Sequence, residues 1–241
     1  MNNTELRYVA HFDILGMSRL TLQNPDLAWS TLSHLAIANQ ERLSIGFDRN
    51  NTRHEMRERV YTFTFSDTIV AFTKSDSIED LHSITIYAIE IFARALFRGV
   101  PLRGGVSHGK FVFNLDLNLF SGPALVNAYH IGECAQWIGI VADEIVANRI
   151  KDIPMRAGAA DVAVSWDIPQ KDLSLKKMNV LNWPAVHAHN FIIRPPLDTQ
   201  GLYKAFEHLF GPFSDLPVDV QAKYSNSVTF INHFLHPHMK S

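Results

Sequence analysis

Cysteine is almost missing from this sequence: Cys134 stands alone among 241 residues. A single thiol excludes an intrachain disulfide and a cysteine-based zinc knuckle, and it fits a reducing compartment. Net charge is nearly absent too, since 22 Lys and Arg stand against 24 Asp and Glu, giving −2. That balance leaves no basic footprint, so neither nucleic acid nor an anionic membrane is expected as a partner. Long apolar runs are also lacking; charge interrupts each one well short of the roughly 20 apolar residues of a membrane helix. The polar start Met1-Asn2-Asn3-Thr4-Glu5 carries no apolar signal core, and the expected location is the cytoplasm. Disorder is excluded by a 46% hydrophobic content at so low a net charge.

What the chain has in excess is phenylalanine, sixteen residues against six Tyr and four Trp. Several fall in strand-like segments. Leu6 to Ile14 reads as a strand that ends in Asp13 before Gly16 breaks it. Asn24-Pro25-Asp26 opens a helix, with Asn at the cap and Pro in the first turn. Arg59 to Phe65 alternates strictly, setting Tyr61, Phe63 and Phe65 on one face; Ser66-Asp67 turns, and Thr68 to Thr73 returns as the hairpin partner. Between these segments, the polar stretch 47–57 reads as a loop.

Ile78 to Phe97 is a long amphipathic helix stopped by Gly99 and Pro101. Leu102 to Phe113 reads as two strand pieces around Gly109, Gly122-Pro123 starts a helix to about Trp137, and Gly139 to Val141 is a short strand before a helix from Asp143. Later strands are expected at 161–166 and 178–183, and surface helices at 199–210 and 217–235. The order predicts an α+β fold: a ferredoxin-like or palm βαββαβ sheet with extra C-terminal strands and helices.

Asp13 and Asp67 stand out by position. With their strands side by side, both carboxylates converge at one end of the sheet, where two oxygens suffice to hold Mg²⁺ or Mn²⁺ and leave sites for phosphate. The competing reading makes each a turn residue, a common task for Asp at strand ends.

Four segments resemble the class III nucleotidyl cyclases. Phe12-Asp13-Ile14-Leu15-Gly16-Met17-Ser18 is similar to the family's F-x-D-[IL]-x-G-[FM]-[ST], and Phe65-Ser66-Asp67-Thr68 resembles its hairpin G-D segment. Arg103-Gly104-Gly105-Val106-Ser107-His108-Gly109-Lys110 resembles R-x-G-[IV]-x-x-G, and Gly122, Val126-Asn127 and Glu133 resemble the helix G-x-x-V-N-x-A-x-R-L-E. Order and spacing match over roughly residues 8 to 145.

The resemblance implies a homodimer with active sites at the subunit interface, a nucleoside triphosphate substrate and two Mn²⁺ or Mg²⁺ ions per site. It makes Asp13 and Asp67 the metal ligands, with the Ile14 carbonyl as a further one. Backbone amides of residues 15–18, including Gly16, Met17 and Ser18, would cradle phosphate oxygens. Lys110 stands where some members place a phosphate-binding Arg, and Asn127 would orient the ribose. On this reading residues 1–184 form the catalytic domain, and 185–241 a helical appendage packed on it.

Departures from the pattern point to the substrate. The purine-reading Lys of the family, four residues before the second metal Asp, is Phe63 here, and its Asp partner is Phe120. Neither charge is present, which disfavours ATP. Tyr61 and Phe63 would instead stack on, or fill space beside, a smaller base. The position of the family's transition-state Arg holds Ile131, with His130, Lys110 or an Arg from elsewhere as candidate replacements, or weaker catalysis as the consequence. These features are similar to the bacterial pyrimidine cyclases of the Pycsar anti-phage type, which implies cyclic UMP from UTP, or cyclic CMP from CTP, read by a separate effector. A degenerate nucleotide-sensing or dimerisation module is the alternative, favoured by Ile131. A template-binding polymerase is disfavoured by the low positive charge.

Remaining motifs carry plainer readings. His187-Ala188-His189 and His236-Pro237-His238 lack a third ligand at metal spacing. Cys134 reads as a small packed hydrophobe. Arg103 serves either as a strand-end anchor or as a phosphate contact, and Lys176 and Lys177 either as a solvated edge or as a triphosphate contact across a dimer.

Overall fold

The computed structural model describes residues 5–43, 46–47, 53–153, 161–187 and 197–235. Strand β1 (Glu5–Ile14) leads into α1 (Met17–Gln23) and α2 (Pro25–Leu43). The short pair β2 (Gly46–Phe47) and β3 (Arg53–His54) follows, with Gly46 opposite His54. Residues 48–52 of the expected loop, His189 of the first His pair and the whole His236-Pro237-His238 segment lie outside the described residues.

Next come the hairpin β4 (Val60–Phe65) and β5 (Thr68–Thr73), α3 (Ile78–Phe97), β6 (Leu102–Asn114), β7 (Leu119–Ser121), α4 (Pro123–Cys134), β8 (Ile140–Ala142) and α5 (Glu144–Ile150). The chain continues through β9 (Ala163–Pro169), β10 (Leu175–Leu181), α6 (Trp183–His187), α7 (Thr199–Tyr203), α8 (Glu207–Phe210) and α9 (Val218–Leu235).

One sheet runs in the order β4-β5-β1-β6-β8-β10-β9, with β7 paired to β6. Neighbours are antiparallel except β6 and β8, which run parallel. Strand alternation sends the two faces to different cores. Tyr8, Ala10, Phe12 and Ile14 of β1 join α3 and the C-terminal helices in the larger core, whereas Val9 joins Phe72, Phe111 and Ala124 in a smaller one under α4. Trp183, Tyr203, Phe206, Tyr224 and Phe230 belong to the larger core, so the residues from α6 onward pack into the same interior as the sheet. Among the described residues no helix is long and apolar enough to cross a membrane.

Helix α3 has the bounds its sequence predicts. The Ser77 hydroxyl accepts from the Asp80 amide at 3.1 Å, and Gly99 at φ 68 ends the helix with its amide on Leu96. Four expectations change. Gly109 does not divide its strand: β6 is continuous and pairs with the whole of β1, with Gly109 opposite Arg7. A Cβ there would make only an ordinary contact with Ala124, at 3.6 Å. Helix α1 was not anticipated; only Met17 and Leu20 of it are buried. Helix α4 stops at Cys134, and Trp137 enters the core from an extended segment beyond it. The helix expected over 199–210 is two short ones.

Candidate active site

Backbone pairing builds the meeting of Asp13 and Asp67. Strand β1 lies against β5 with Asp13 opposite Thr68, and the Ile14 amide donates to the Asp67 carbonyl at 2.7 Å. Ser66, at φ 53, turns the hairpin and carries Asp67 to its tip. Each carboxylate is then held by one side-chain donor. Ser18 Oγ donates to Asp67 Oδ2 at 2.9 Å, and Arg103 Nη2 donates to Asp13 Oδ2 at 2.9 Å. His11, two residues back on the same face, is near both carboxylates and Arg103; burial holds its imidazole below the ordinary histidine range despite the two Asp charges.

Arg103 is 5% exposed and also donates through Nη1 to the Glu133 carbonyl at 2.9 Å. Of the two roles read from sequence, the structure shows the strand-end anchor: the guanidinium is spent on Asp13 and the Glu133 carbonyl. The pairing of β1 with β6 sets Arg103 opposite Asp13, a cross-strand pair in antiparallel strands.

The donor set fits a hard divalent cation. Among the described residues, the second oxygen of each carboxylate makes no hydrogen bond; Asp13 is in β1 and Asp67 in the turn that leads into its neighbour β5. No group of three or more His, Cys, Asp or Glu that could hold a metal occurs among the described residues, so a cation here takes its remaining ligands from substrate or water.

Of the backbone amides of residues 15–18 expected to face phosphate, one has a protein partner. The Leu15 amide donates to Pro101 at 3.0 Å and is not free. Met17 is 1% exposed, so its side chain belongs to the core and only its backbone can face a ligand. Ser18 gives its hydroxyl, not its amide, to Asp67. Gly16 is left-handed at φ 80, and a Cβ on it would meet the Phe210 ring at 2.8 Å; no other residue fits both demands.

The other expected residues form a second group on the α4 face. Phe63 packs on Phe120 with centroids 4.6 Å apart and on Phe72 at 5.9 Å, while Tyr61 meets Phe72 at 5.3 Å and Phe113 at 5.5 Å. Asn127 Nδ2 donates to Ser107 Oγ at 2.8 Å, and that hydroxyl donates to Asp143 Oδ2 at 2.8 Å. Asp143 also accepts from the His108 amide at 2.8 Å and caps α5 through Val146, also at 2.8 Å. Sequence reading missed this positioning of Asn127, because the Asp143 cap signal pointed only to its own helix.

Ser107 lies four residues from Arg103 along β6, about 13 Å of strand, and Lys110 lies seven, about 23 Å. Lys110 thus cannot reach a phosphate held at Asp13 and Asp67 of its own chain, and Asn127, bonded to Ser107, is also set apart from them. Within one chain the expected site is divided between two places. Ile131 packs beside Gly105 and brings no cation. Cys134 is exposed rather than packed, at the rim of a cavity of about 410 Å³ between α4 and the β9–β10 hairpin that Lys171, Lys176 and Met178 also line. Glu133 is ion-paired with Lys171 there.

No protein-family model matches the chain, and no curated protein matches its sequence. Solved structures do match. The catalytic core of a rhodopsin-guanylyl cyclase with converted specificity, in complex with ATPalphaS, is 13% identical, with 74% of this chain and 95% of that chain covered and a TM-score of 0.52. A bacterial light-regulated adenylyl cyclase is 11% identical, with 86% and 99% covered and a TM-score of 0.53. At such identities the likeness is one of fold: the chain has the α+β palm fold of nucleotide cyclase catalytic domains.

Proposed function

We propose that this protein is a metal-dependent nucleotidyl cyclase acting on a pyrimidine nucleoside triphosphate, UTP before CTP. The observation that carries the reading is the Asp13–Asp67 pair, joined by strand register on a cyclase-type sheet, each carboxylate keeping an oxygen free. Asp13, Asp67 and the Ile14 carbonyl hold the cations. Mg²⁺ or Mn²⁺ bound there supplies Lewis acidity, which stabilises phosphate charge and acidifies the attacking hydroxyl.

The chain's own residues do the rest. Arg103 fixes Asp13 and Ser18 fixes Asp67, so the ligands are ordered before substrate arrives. The ribose 3′-oxygen bonds to the α-phosphorus as the bond from that phosphorus to the bridging oxygen breaks. Pyrophosphate leaves with the electron pair, and the hydroxyl proton passes to solvent. A homodimer unites the divided site: Asn127 and the Tyr61–Phe63 surface of one copy meet the carboxylates of the other. Phe63 and Phe120 offer an apolar face with no hydrogen-bonding group for a purine edge, which favours the smaller base. The product, cyclic UMP, serves as an anti-phage second messenger read by a separate effector, in keeping with the sequence resemblance.

The test is incubation with Mn²⁺ and each of the four ribonucleoside triphosphates, with products resolved by mass. Cyclic UMP that disappears in Asp67→Ala supports the reading; cyclic AMP as main product overturns the pyrimidine preference. One observation favours a second reading, a nucleotide-binding module without turnover: Ile131 supplies no transition-state cation. Triphosphate binding with no product from any nucleotide would select that module.

A further inference from the structure

Helix α9 brings a lysine to the carboxylate end of the sheet. The helix is pinned by two contacts with the segment after α4: Asn226 Nδ2 donates to the Gln136 carbonyl at 2.6 Å, and the Ile138 amide donates to Ser227 Oγ at 2.8 Å. Lys223 lies one turn before these residues on the same helix face. It lines a cavity of about 180 Å³ whose opposite wall is Leu15, Gly16 and Arg19, the segment that follows the metal-site strand. That lining includes Arg19 and Lys223 and no carboxylate.

The charges around Lys223 do not balance. Arg103 is paired with Asp13, and Lys171 with Glu133. Lys223 is half-buried beside these pairs, and its ammonium makes no hydrogen bond or ion pair among the described residues. Asp219, one turn earlier, is exposed and forms no ion pair with it. Burial and the Arg103 guanidinium hold the Lys223 ammonium below the ordinary lysine range, with Lys171 acting the same way and Asp219 and Asp13 opposing. An unpaired cation kept in such a place is stabilised by a polyanion arriving from solvent.

We propose that Lys223 binds the β- and γ-phosphates of the nucleotide seated at Asp13 and Asp67 and stabilises the pyrophosphate as it leaves. The inference rests on reading those carboxylates as a triphosphate site, and it assigns the C-terminal helix a direct part in substrate binding. It also supplies, from α9, a cation for the reaction that position 131 lacks.

Calorimetric titration of the full chain with inorganic tripolyphosphate and Mg²⁺ tests it, with UMP as a second probe. Lys223→Met is expected to weaken tripolyphosphate binding about tenfold, and Lys223→Arg to restore it to within about threefold of the original, while UMP binding stays unchanged. An unchanged tripolyphosphate affinity in Lys223→Met, or an equal loss for UMP, overturns the assignment, as does failure of the unaltered chain to bind tripolyphosphate. Lys223→Gln replaces Lys223→Met if the latter loses its cooperative melt. Lys223-dependent tripolyphosphate binding without any cyclic product would uphold this inference while removing the proposed cyclase activity.

Discussion

Phe63 and Phe120 lie ring against ring, with centroids 4.6 Å apart and planes tilted by 46°. Phe72, on the strand between β4 and β1, touches both, at 5.9 and 5.7 Å. In the sequence resemblance these two positions carry the Lys and Asp that read a purine. The structure keeps them in contact but changes the contact's chemistry, from a hydrogen-bonding charge pair to an aromatic one. On the proposed reading, a base edge meeting this surface would find area and no partner, so discrimination would fall to size and stacking.

The aromatic contact should be measurable as coupling. In a double-mutant cycle with Phe63→Leu and Phe120→Leu, the double change is expected to cost about 0.5–1.5 kcal/mol less than the sum of the single changes. Urea unfolding of the four proteins checks it; additive losses would show that the rings merely share a cluster. The combined Phe63→Lys and Phe120→Asp protein is expected to shift competition between UTP and ATP toward ATP, read by product mass.

Arg103 should matter more to the fold than the carboxylate it holds. Arg103→Met removes the donor to the Glu133 carbonyl and leaves Asp13 without its cation, so a loss of about 3–5 kcal/mol is expected. Asp13→Asn keeps an oxygen acceptor for Arg103 and should unfold at nearly the original urea concentration while losing metal-dependent turnover. Equal stability losses in the two proteins would mean that the ion pair, and not the buried guanidinium's anchoring, holds the strand end.

Alkaline stability should report the buried tyrosines. Burial pushes Tyr8 up to about 12, and burial followed by the Tyr203 charge pushes Tyr224 up further. Both phenols are therefore neutral in the fold at a pH where the unfolded chain has begun to ionise near its ordinary value of about 10. The stabilisation is complete below pH 10 and is lost as pH rises from there through the raised values. Tyr224→Phe is expected to melt like the unaltered chain between pH 7 and 9 and to lose less stability above pH 10. Parallel pH curves for the two proteins would contradict the assignment.

Features that depend on neighbours in sequence were legible before the structure. The alternation of Arg59 to Phe65, the Ser66-Asp67 turn and the amphipathic run of α3 stopped at Gly99 and Pro101 are local, and they predicted the hairpin, the carboxylate end and the longest of the described helices. Helix α1 was hidden because its seven residues bury only Met17 and Leu20, too few for a period to emerge. The Arg103–Asp13 contact joins residues 90 apart, and Asn226 reaches Gln136 over the same separation. Such contacts are set by sheet order and helix docking, which no local pattern encodes. The division of the expected site followed likewise from strand length: Lys110 sits in a site motif, but a continuous β6 carries it away from Arg103.

The glycines of β6 give the sharpest contrast between what a sequence motif marks and what it needs. Helix α4 crosses this strand closely, with Ala124, Ala128 and Gly132 buried against it. A Cβ on Gly105 would fall 2.2 Å from the Ala128 carbonyl oxygen and 2.7 Å from the Ile131 side chain, and backbone cannot yield as a side-chain tip can. A Cβ on Gly109 would meet Ala124 at 3.6 Å, an ordinary contact. Gly105→Ala is therefore expected to destabilise the chain by about 1–3 kcal/mol or more through overpacking. Because α4 carries Asn127, the same change should lower turnover beyond the loss of folded protein. Gly109→Ala removes backbone freedom from the unfolded strand and adds a methyl that fits, so it is expected to be neutral or slightly stabilising. Thermal melts of the two variants decide the matter; equal losses would mean that α4 does not sit on the strand as closely as these contacts require.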